Sequence, residues 1–136
     1  MRFRRKGKGG DGPEAASSGG SRLVEEDVDG QTHVFALAGF EDEELIDQFR
    51  AALRRSLESG KTRLAVDLSA TSVIGIETGK LLLGAREWVE PSGGKVVVVF
   101  PASHQFLETM FASSGLDSML PVLRTRAEAL RLLAGG

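Results

Sequence analysis

The segment KVVVVF, at residues 95–100, contains five apolar residues in an unbroken run. A run of this kind is typical of a strand that is covered on both faces, as in a parallel sheet between layers of helices. It therefore predicts a central strand in a protein of the α/β class. The sequence on either side contains helices and further strands that complete such a sheet.

On the N-terminal side, TRLAVDLS at residues 62–69 predicts another strand, which runs into the polar Asp67. A helix follows from Glu77 or Thr78 and ends at Pro91, because proline cannot continue a helix. Its apolar stripe comprises Leu81, Leu82, Ala85, Trp88 and Val89. This pattern predicts a strand, a polar loop and a helix, an arrangement in which α/β proteins often carry their functional groups.

On the C-terminal side, Ser103 is a candidate cap for a helix that carries an apolar stripe and stops at Gly115. The stripe comprises Phe106, Leu107, Met110 and Phe111. MLPVLR predicts a short strand at an edge of the sheet, because Pro121 lacks a backbone donor. Thr125 and Glu128 have the spacing of a capping box, which predicts a last helix.

Two more strands and a helix precede these elements. LVEEDVDG and QTHVFALAG flank a turn at Asp29–Gly30, which is a strong hairpin signal. A helix with a left-handed stop at Gly60 follows, and the acids at residues 41–44 lie at its positive end. The predicted order is β-β-α-β-α-β-α-β-α, and the alternation of strands and helices implies a largely parallel sheet.

Residues 1–20 differ in composition from the rest of the chain. They are rich in Gly and Ser and contain five basic and two acidic residues, whereas residues 21–136 contain twelve basic and seventeen acidic residues. We interpret 1–20 as a flexible basic tail and 21–136 as one domain. The tail could contact an anionic membrane surface or an acidic partner, while the acidic domain argues against nucleic acid as a ligand.

The residues give little support for an enzyme. The chain has no cysteine, and its two histidines, His33 and His104, are isolated in sequence, so we expect them to be structural or solvated. The pair Gly79–Lys80 has neither the spacing nor the hydroxyl of a phosphate-binding P-loop. No apolar run is long enough to cross a bilayer. We therefore expect a cytoplasmic protein without a catalytic site, a metal or a cofactor.

Several short motifs, taken in order, resemble the STAS domain family, which includes anti-sigma factor antagonists. The motifs are GFED at 39–42, DLS at 67–69, SVI at 72–74, GGKVV at 93–97, SGLD at 114–117 and LPV at 120–122. The resemblance covers roughly residues 22–133 and implies an α/β mixed sheet of four to five strands with helices mainly on one face. It also implies a non-enzymatic bacterial signalling module that works by binding another protein.

In that family the loop before the helix usually reads Asp-Ser-Ser-Gly, and a kinase that is also the anti-sigma factor phosphorylates its first serine. Here, Gly75 and Ile76 occupy the Asp and Ser positions if the sequences align without a gap, and Ile76 and Glu77 occupy them if one residue is inserted. Neither alignment leaves a hydroxyl at the usual site. Glu77 is either a partial substitute for phosphate or a favourable acid in a first helical turn. The remaining candidate phosphate acceptors are Thr78, Ser72 and Thr71.

The resemblance makes this loop the expected partner-binding surface, comprising Gly75, Ile76, Glu77, Thr78, Gly79 and Lys80. Ile76 is either an exposed apolar anchor within a charged rim or a core residue beneath the helix. The expected partner is a kinase-type anti-sigma ATPase. Because the serine is missing and the tail is basic, an alternative is an accessory subunit that binds the ATPase of an ABC-type lipid transport system.

Overall fold

The computed structural model describes residues 20–135, and in this part of the chain five strands form one sheet. The strands are β1 (Arg22–Asp27), β2 (Thr32–Gly39), β3 (Arg63–Thr71), β4 (Lys95–Val99) and β5 (Val122–Leu123). They are ordered in space as in sequence, with β1 antiparallel to β2 and all other pairs parallel. The mixed sheet of the prediction is confirmed. The predicted tail lies outside the described residues except for Gly20.

Five α-helices complete the described fold: α1 (Glu43–Glu58), α2 (Ile76–Val89), α3 (Gln105–Ser114), α4 (Leu116–Met119) and α5 (Arg126–Gly135). A 3₁₀ turn at Glu90–Ser92 contains Pro91 and follows α2 directly. The four-residue helix α4 was not predicted. It begins immediately after Gly115, which has a left-handed φ of 81° and ends α3 as expected.

The helices are divided unequally between the two faces of the sheet. Val96 and Val98 of β4 belong to the large core formed with α1, α2, α3 and α4, whereas Val97 and Val99 pack with Ala129 of α5. Side chains alternate between faces along a strand, so the apolar run of β4 is buried on both sides. The predicted placement of helices mainly on one face is therefore confirmed.

Several local details differ from the prediction, among them Phe106, which was placed on the apolar stripe of α3 but is exposed. Helix α2 begins at Ile76, one or two residues early, because a distant carboxylate caps it there. Trp88 is exposed. The buried face of α2 runs through Leu82, Ala85 and Val89, and the Trp88 side chain points away from that face. His104, rather than Ser103, caps α3 through its ring nitrogen.

Helix α5 begins with the cap that the sequence predicted, and an ion pair that was not predicted links it to the sheet. The Glu128 amide donates to the Thr125 hydroxyl, and the Glu128 carboxylate accepts from the Thr125 amide, which is the predicted capping box. Arg126 donates to Asp67 in the middle of β3, with Nη2 and Oδ2 2.9 Å apart. The Asp67 side chain thus connects the sheet to α5.

Candidate functional site

Two loops meet where β2 and β3 end, and they form the base of the candidate site. The Ser72 amide donates to the Gly39 carbonyl at 2.7 Å, and the Glu41 amide donates to the Val73 carbonyl at 2.8 Å. The carboxyl ends of neighbouring parallel strands lie at the same edge of a sheet, so the loops that enter α1 and α2 run side by side.

The N-terminus of α2 is capped by Glu41 from the neighbouring loop. One carboxylate oxygen, Oε1, accepts from the Gly75 amide at 2.7 Å, the Thr78 amide at 3.1 Å and the Thr78 hydroxyl at 2.7 Å. Gly75 occupies the N-cap position and has no side chain to satisfy these donors. Glu41 was predicted to lie at the positive end of α1, but its carboxylate serves α2 instead.

The hydrogen bonds keep the Glu41 carboxylate ionised. Burial raises the pKa of Glu41, but the hydrogen bonds from the Thr78 hydroxyl and from the Gly75 and Thr78 amides outweigh this effect. The pKa of Glu41 therefore lies below its usual value of 4.5. A fixed negative charge consequently occupies the helix N-terminus, a position that favours anions.

The six residues of the predicted partner-binding loop comprise an exposed group, a buried group and the half-buried Gly75. Ile76 is 70% exposed, and Glu77 and Lys80 are also exposed, with 3.9 Å between the Glu77 carboxylate and the Lys80 ammonium. Thr78 and Gly79 are buried. Of the two placements left open for Ile76, the exposed one is found.

The three candidate phosphate acceptors differ in exposure. Thr78 is fully buried, and its hydroxyl donates to Glu41; Thr71 is 5% exposed, and its hydroxyl donates to the Leu68 carbonyl at 2.7 Å. A kinase needs access to its acceptor, so burial argues against Thr78 and Thr71 in this conformation. Ser72 is exposed and is the candidate that its surroundings favour.

Ile76 is one of three exposed apolar side chains around the two-loop junction. Phe40 and Val73 are 47% and 53% exposed, and the Glu41–Val73 hydrogen bond brings their loops together. We call Phe40, Val73 and Ile76 the apolar patch. The sequence did not reveal this patch, because Phe40 is more than 30 residues from Val73 and Ile76, and only the pairing of the two loops brings them to the same edge of the sheet.

An open groove of about 450 Å³ lies beside the patch, between the first turns of α1 and α2. We call it the acidic groove; apart from Ile46, its lining consists of Glu41, Asp42, Glu43, Asp47, Arg50 and Glu77. Asp42 is the N-cap of α1 and accepts from the Leu45 amide, which lowers its pKa. The groove therefore presents five carboxylates and one guanidinium next to an apolar surface.

His104 fastens α3 to the same edge of the sheet. Its Nε2 lies 2.6 Å from the Thr71 carbonyl oxygen, which can only accept, and its Nδ1 accepts from the Leu107 amide. Both ring nitrogens of His104 therefore have a hydrogen-bond partner. His33, the other histidine, pairs with Glu25 on the antiparallel hairpin. Each histidine is thus hydrogen-bonded within the fold.

Solved structures show what kind of fold this is. No protein family model and no curated protein matches the chain. An anti-sigma factor antagonist from Mycobacterium paratuberculosis matches with a TM-score of 0.72 at 24% identity, over 84% of this chain and 94% of that one. Unphosphorylated SpoIIAA, also an anti-sigma factor antagonist, matches with a TM-score of 0.73 at 23% identity, over 85% and 98%.

A third match is a putative anti-sigma factor antagonist from Thermotoga maritima, with a TM-score of 0.72 at 18% identity over 82% of this chain and 94% of that one. At these identities the likeness shows the fold, so the described domain is STAS-like. Among the helices of residues 20–135, none is both long and apolar enough to span a bilayer.

Proposed function

We propose that this chain is a non-enzymatic regulatory module that binds a protein partner through the N-terminus of α2. The observation that carries the proposal is the 70% exposure of Ile76 in the first turn of α2. An isoleucine held at a rigid helix start, with Phe40 and Val73 beside it and Glu77 and Lys80 at its rim, has the anatomy of an interface anchor. Thr78 and Gly79 would support this surface from beneath.

The proposed regulation does not use phosphorylation of the first residues of α2, unlike that of a phosphorylated antagonist. The first two residues of α2 are Ile76 and Glu77, and neither carries a hydroxyl. SpoIIAA matches this fold in a phosphorylated as well as an unphosphorylated form. In this chain phosphorylation at those two positions would not switch the partner surface, and Ser72 is the remaining exposed acceptor.

The expected partner is an ATPase in the cytoplasm. Co-purification distinguishes the two classes: a kinase-type anti-sigma factor supports an anti-sigma factor antagonist, whereas an ABC ATPase supports an accessory subunit of a lipid transport system. The lack of a hydroxyl at Ile76 and Glu77 favours the second class, because that interaction requires no phosphorylation.

The binding surface is tested by Ile76→Asp. Loss of an apolar anchor that becomes buried in the complex should weaken partner binding by more than ~1 kcal/mol, measured by calorimetry with the co-purified ATPase. The fold should remain, because an acidic residue is favourable in a first helical turn.

Trp88→Asp is the matched control. It places the same charge on another exposed apolar residue of α2, three turns away, and should leave the affinity unchanged. Equal affinities for the two variants would contradict the assignment of Ile76.

A further inference from the structure

The described chain begins at the edge of the acidic groove. The Ser21 hydroxyl donates to both carboxylate oxygens of Asp42, at 2.8 and 2.9 Å, and Asp42 lines the groove. The Ser21 backbone also packs closely against Gly39, which has a φ of 92°: a Cβ on Gly39 would lie 2.8 Å from the Ser21 Cα. Whatever precedes Gly20 therefore enters the fold next to the acidic groove and the apolar patch.

The segment that precedes this point has the chemistry that the surface lacks. Residues 1–8 read MRFRRKGK and contain five basic residues together with Phe3. The surface contains five carboxylates, of which Asp47 pairs with Arg50 at 3.0 Å and Glu77 lies 3.9 Å from Lys80, so carboxylates remain in excess. Beside them lie the exposed side chains of Phe40, Val73 and Ile76. Basic residues with one aromatic residue complement an acidic groove flanked by an apolar patch.

The connection is long enough for the segment to reach the surface. Residues 9–19 separate the basic segment from Gly20, and eleven residues span at most about 40 Å when fully extended. The groove lies at the exit point, so only a fraction of this length is needed. A tethered segment also has an effective concentration on the order of millimolar, so a weak contact is sufficient for occupancy.

We propose that residues 1–8 bind in the acidic groove of their own chain and cover the apolar patch. The basic side chains pair with the groove carboxylates, and Phe3 contacts the patch. This inference goes beyond the proposed function, because the intramolecular contact requires no partner. If a partner does use the patch, the two compete, and the chain carries its own inhibitor of docking.

Paramagnetic relaxation tests the contact in the full chain. The sequence contains no cysteine, so Gly7→Cys accepts a single nitroxide label. The amides of Glu43, Asp47, Ile76 and Glu77 should be broadened, while those of α5, on the opposite face of the sheet, should not. The broadening should fall by more than about half in 1 M salt, where the Debye length is about 3 Å.

Two matched pairs of variants separate specific binding from mere proximity of the tether. Replacing Arg2, Arg4, Arg5, Lys6 and Lys8 by Gln in the labelled chain should reduce the broadening, because it removes the charges and leaves the tether unchanged. Glu43→Gln with Glu77→Gln should reduce it too, whereas Glu58→Gln with Glu87→Gln, which removes the same charge from exposed sites elsewhere, should not.

The same broadening with the native and the uncharged segment would overturn the proposal. A second result would also overturn it: the native chain binds vesicles that contain phosphatidylglycerol, but the groove amides show no broadening when the vesicles are absent. The segment would then be a membrane contact. Loss of the Ile76→Asp effect on partner affinity leaves these measurements untouched, so the two proposals fail independently.

Discussion

Helices α1 and α2 start side by side at one edge of the sheet, but their N-termini are capped in different ways. Asp42, the residue that precedes α1, accepts from the Leu45 amide at 2.8 Å, so this cap is local. Gly75 precedes α2 and offers no side chain, and the acceptor comes from Glu41, 34 residues earlier. The first helix can form its cap alone, whereas the second needs the neighbouring loop.

This difference links the fold to the candidate site. The start of α2 carries Ile76, and its position depends on a carboxylate that belongs to the β2–α1 loop. The same two loops hold Phe40 and Val73. Loss of the Glu41 carboxylate would therefore alter the partner surface, while loss of the Asp42 cap of α1 would not.

The largest effect is expected from Glu41→Ala. It removes three hydrogen bonds to a charged acceptor and leaves the buried Thr78 hydroxyl without its partner, which should cost about 2–3 kcal/mol of unfolding free energy. The amides of Gly75 and Ile76 should shift strongly. Urea unfolding followed by circular dichroism measures the loss, and it is preferable to fluorescence because Trp88 is exposed.

Glu41→Gln serves as the control for this change. Its amide oxygen keeps the geometry of an acceptor but lacks the charge, so its stability should fall between those of the wild type and Glu41→Ala. A Glu41→Ala protein as stable as the wild type would show that water replaces the carboxylate and that α2 does not depend on the neighbouring loop.

Asp42→Ala should have a smaller effect. Loss of a local N-cap typically costs about 1 kcal/mol, and the exposed end of α1 is accessible to water once the side chain is removed. The Ile76 amide should not shift, because Asp42 does not contact α2 through any hydrogen bond of the described structure. The same unfolding experiment and an amide spectrum measure both quantities. An Asp42→Ala protein less stable than Glu41→Ala would reverse the comparison.

The local cap illustrates which parts of the fold the sequence could predict. The apolar run of β4, the stops at Gly60 and Gly115 and the capping box at Thr125 all depend on residues close together in the chain, and all are found. The predictions were wrong where neighbouring residues compete for the same buried position. Trp88 and Val89 both fit an apolar stripe, and only packing against the sheet decides that Val89 is buried.

The distant cap illustrates why the site was less predictable. Glu41 has the signature of a first-turn acid of α1, and nothing in the local pattern directs it to Gly75 and Thr78. The missing side chain at Gly75 was the available signal, since uncapped donors at a helix start require some acceptor. The exposure of Ile76 likewise depends on how the two loops pack together, which the local sequence does not show.

The smallest effect, and the sharpest comparison of the two caps, is the response to acid. Hydrogen bonds lower the pKa of both Glu41 and Asp42 below their usual values of 4.5 and 3.8, against the opposing effect of burial. A lowered pKa stabilises the fold above the usual pKa, and this contribution disappears as pH falls through the folded-state pKa.

The stability difference between the wild type and Glu41→Gln should therefore be constant near about pH 7 and shrink below about pH 4.5. Asp42→Asn should show the same decline, beginning at lower pH because the usual pKa of Asp42 is lower. Urea unfolding of each variant against the wild type, over a series of pH values, cancels the titration of the other carboxylates. A difference for Glu41→Gln that does not change with pH would mean that the Glu41 carboxylate binds Gly75 and Thr78 equally well when protonated. The cap of α2 would then depend on its shape alone and not on its charge.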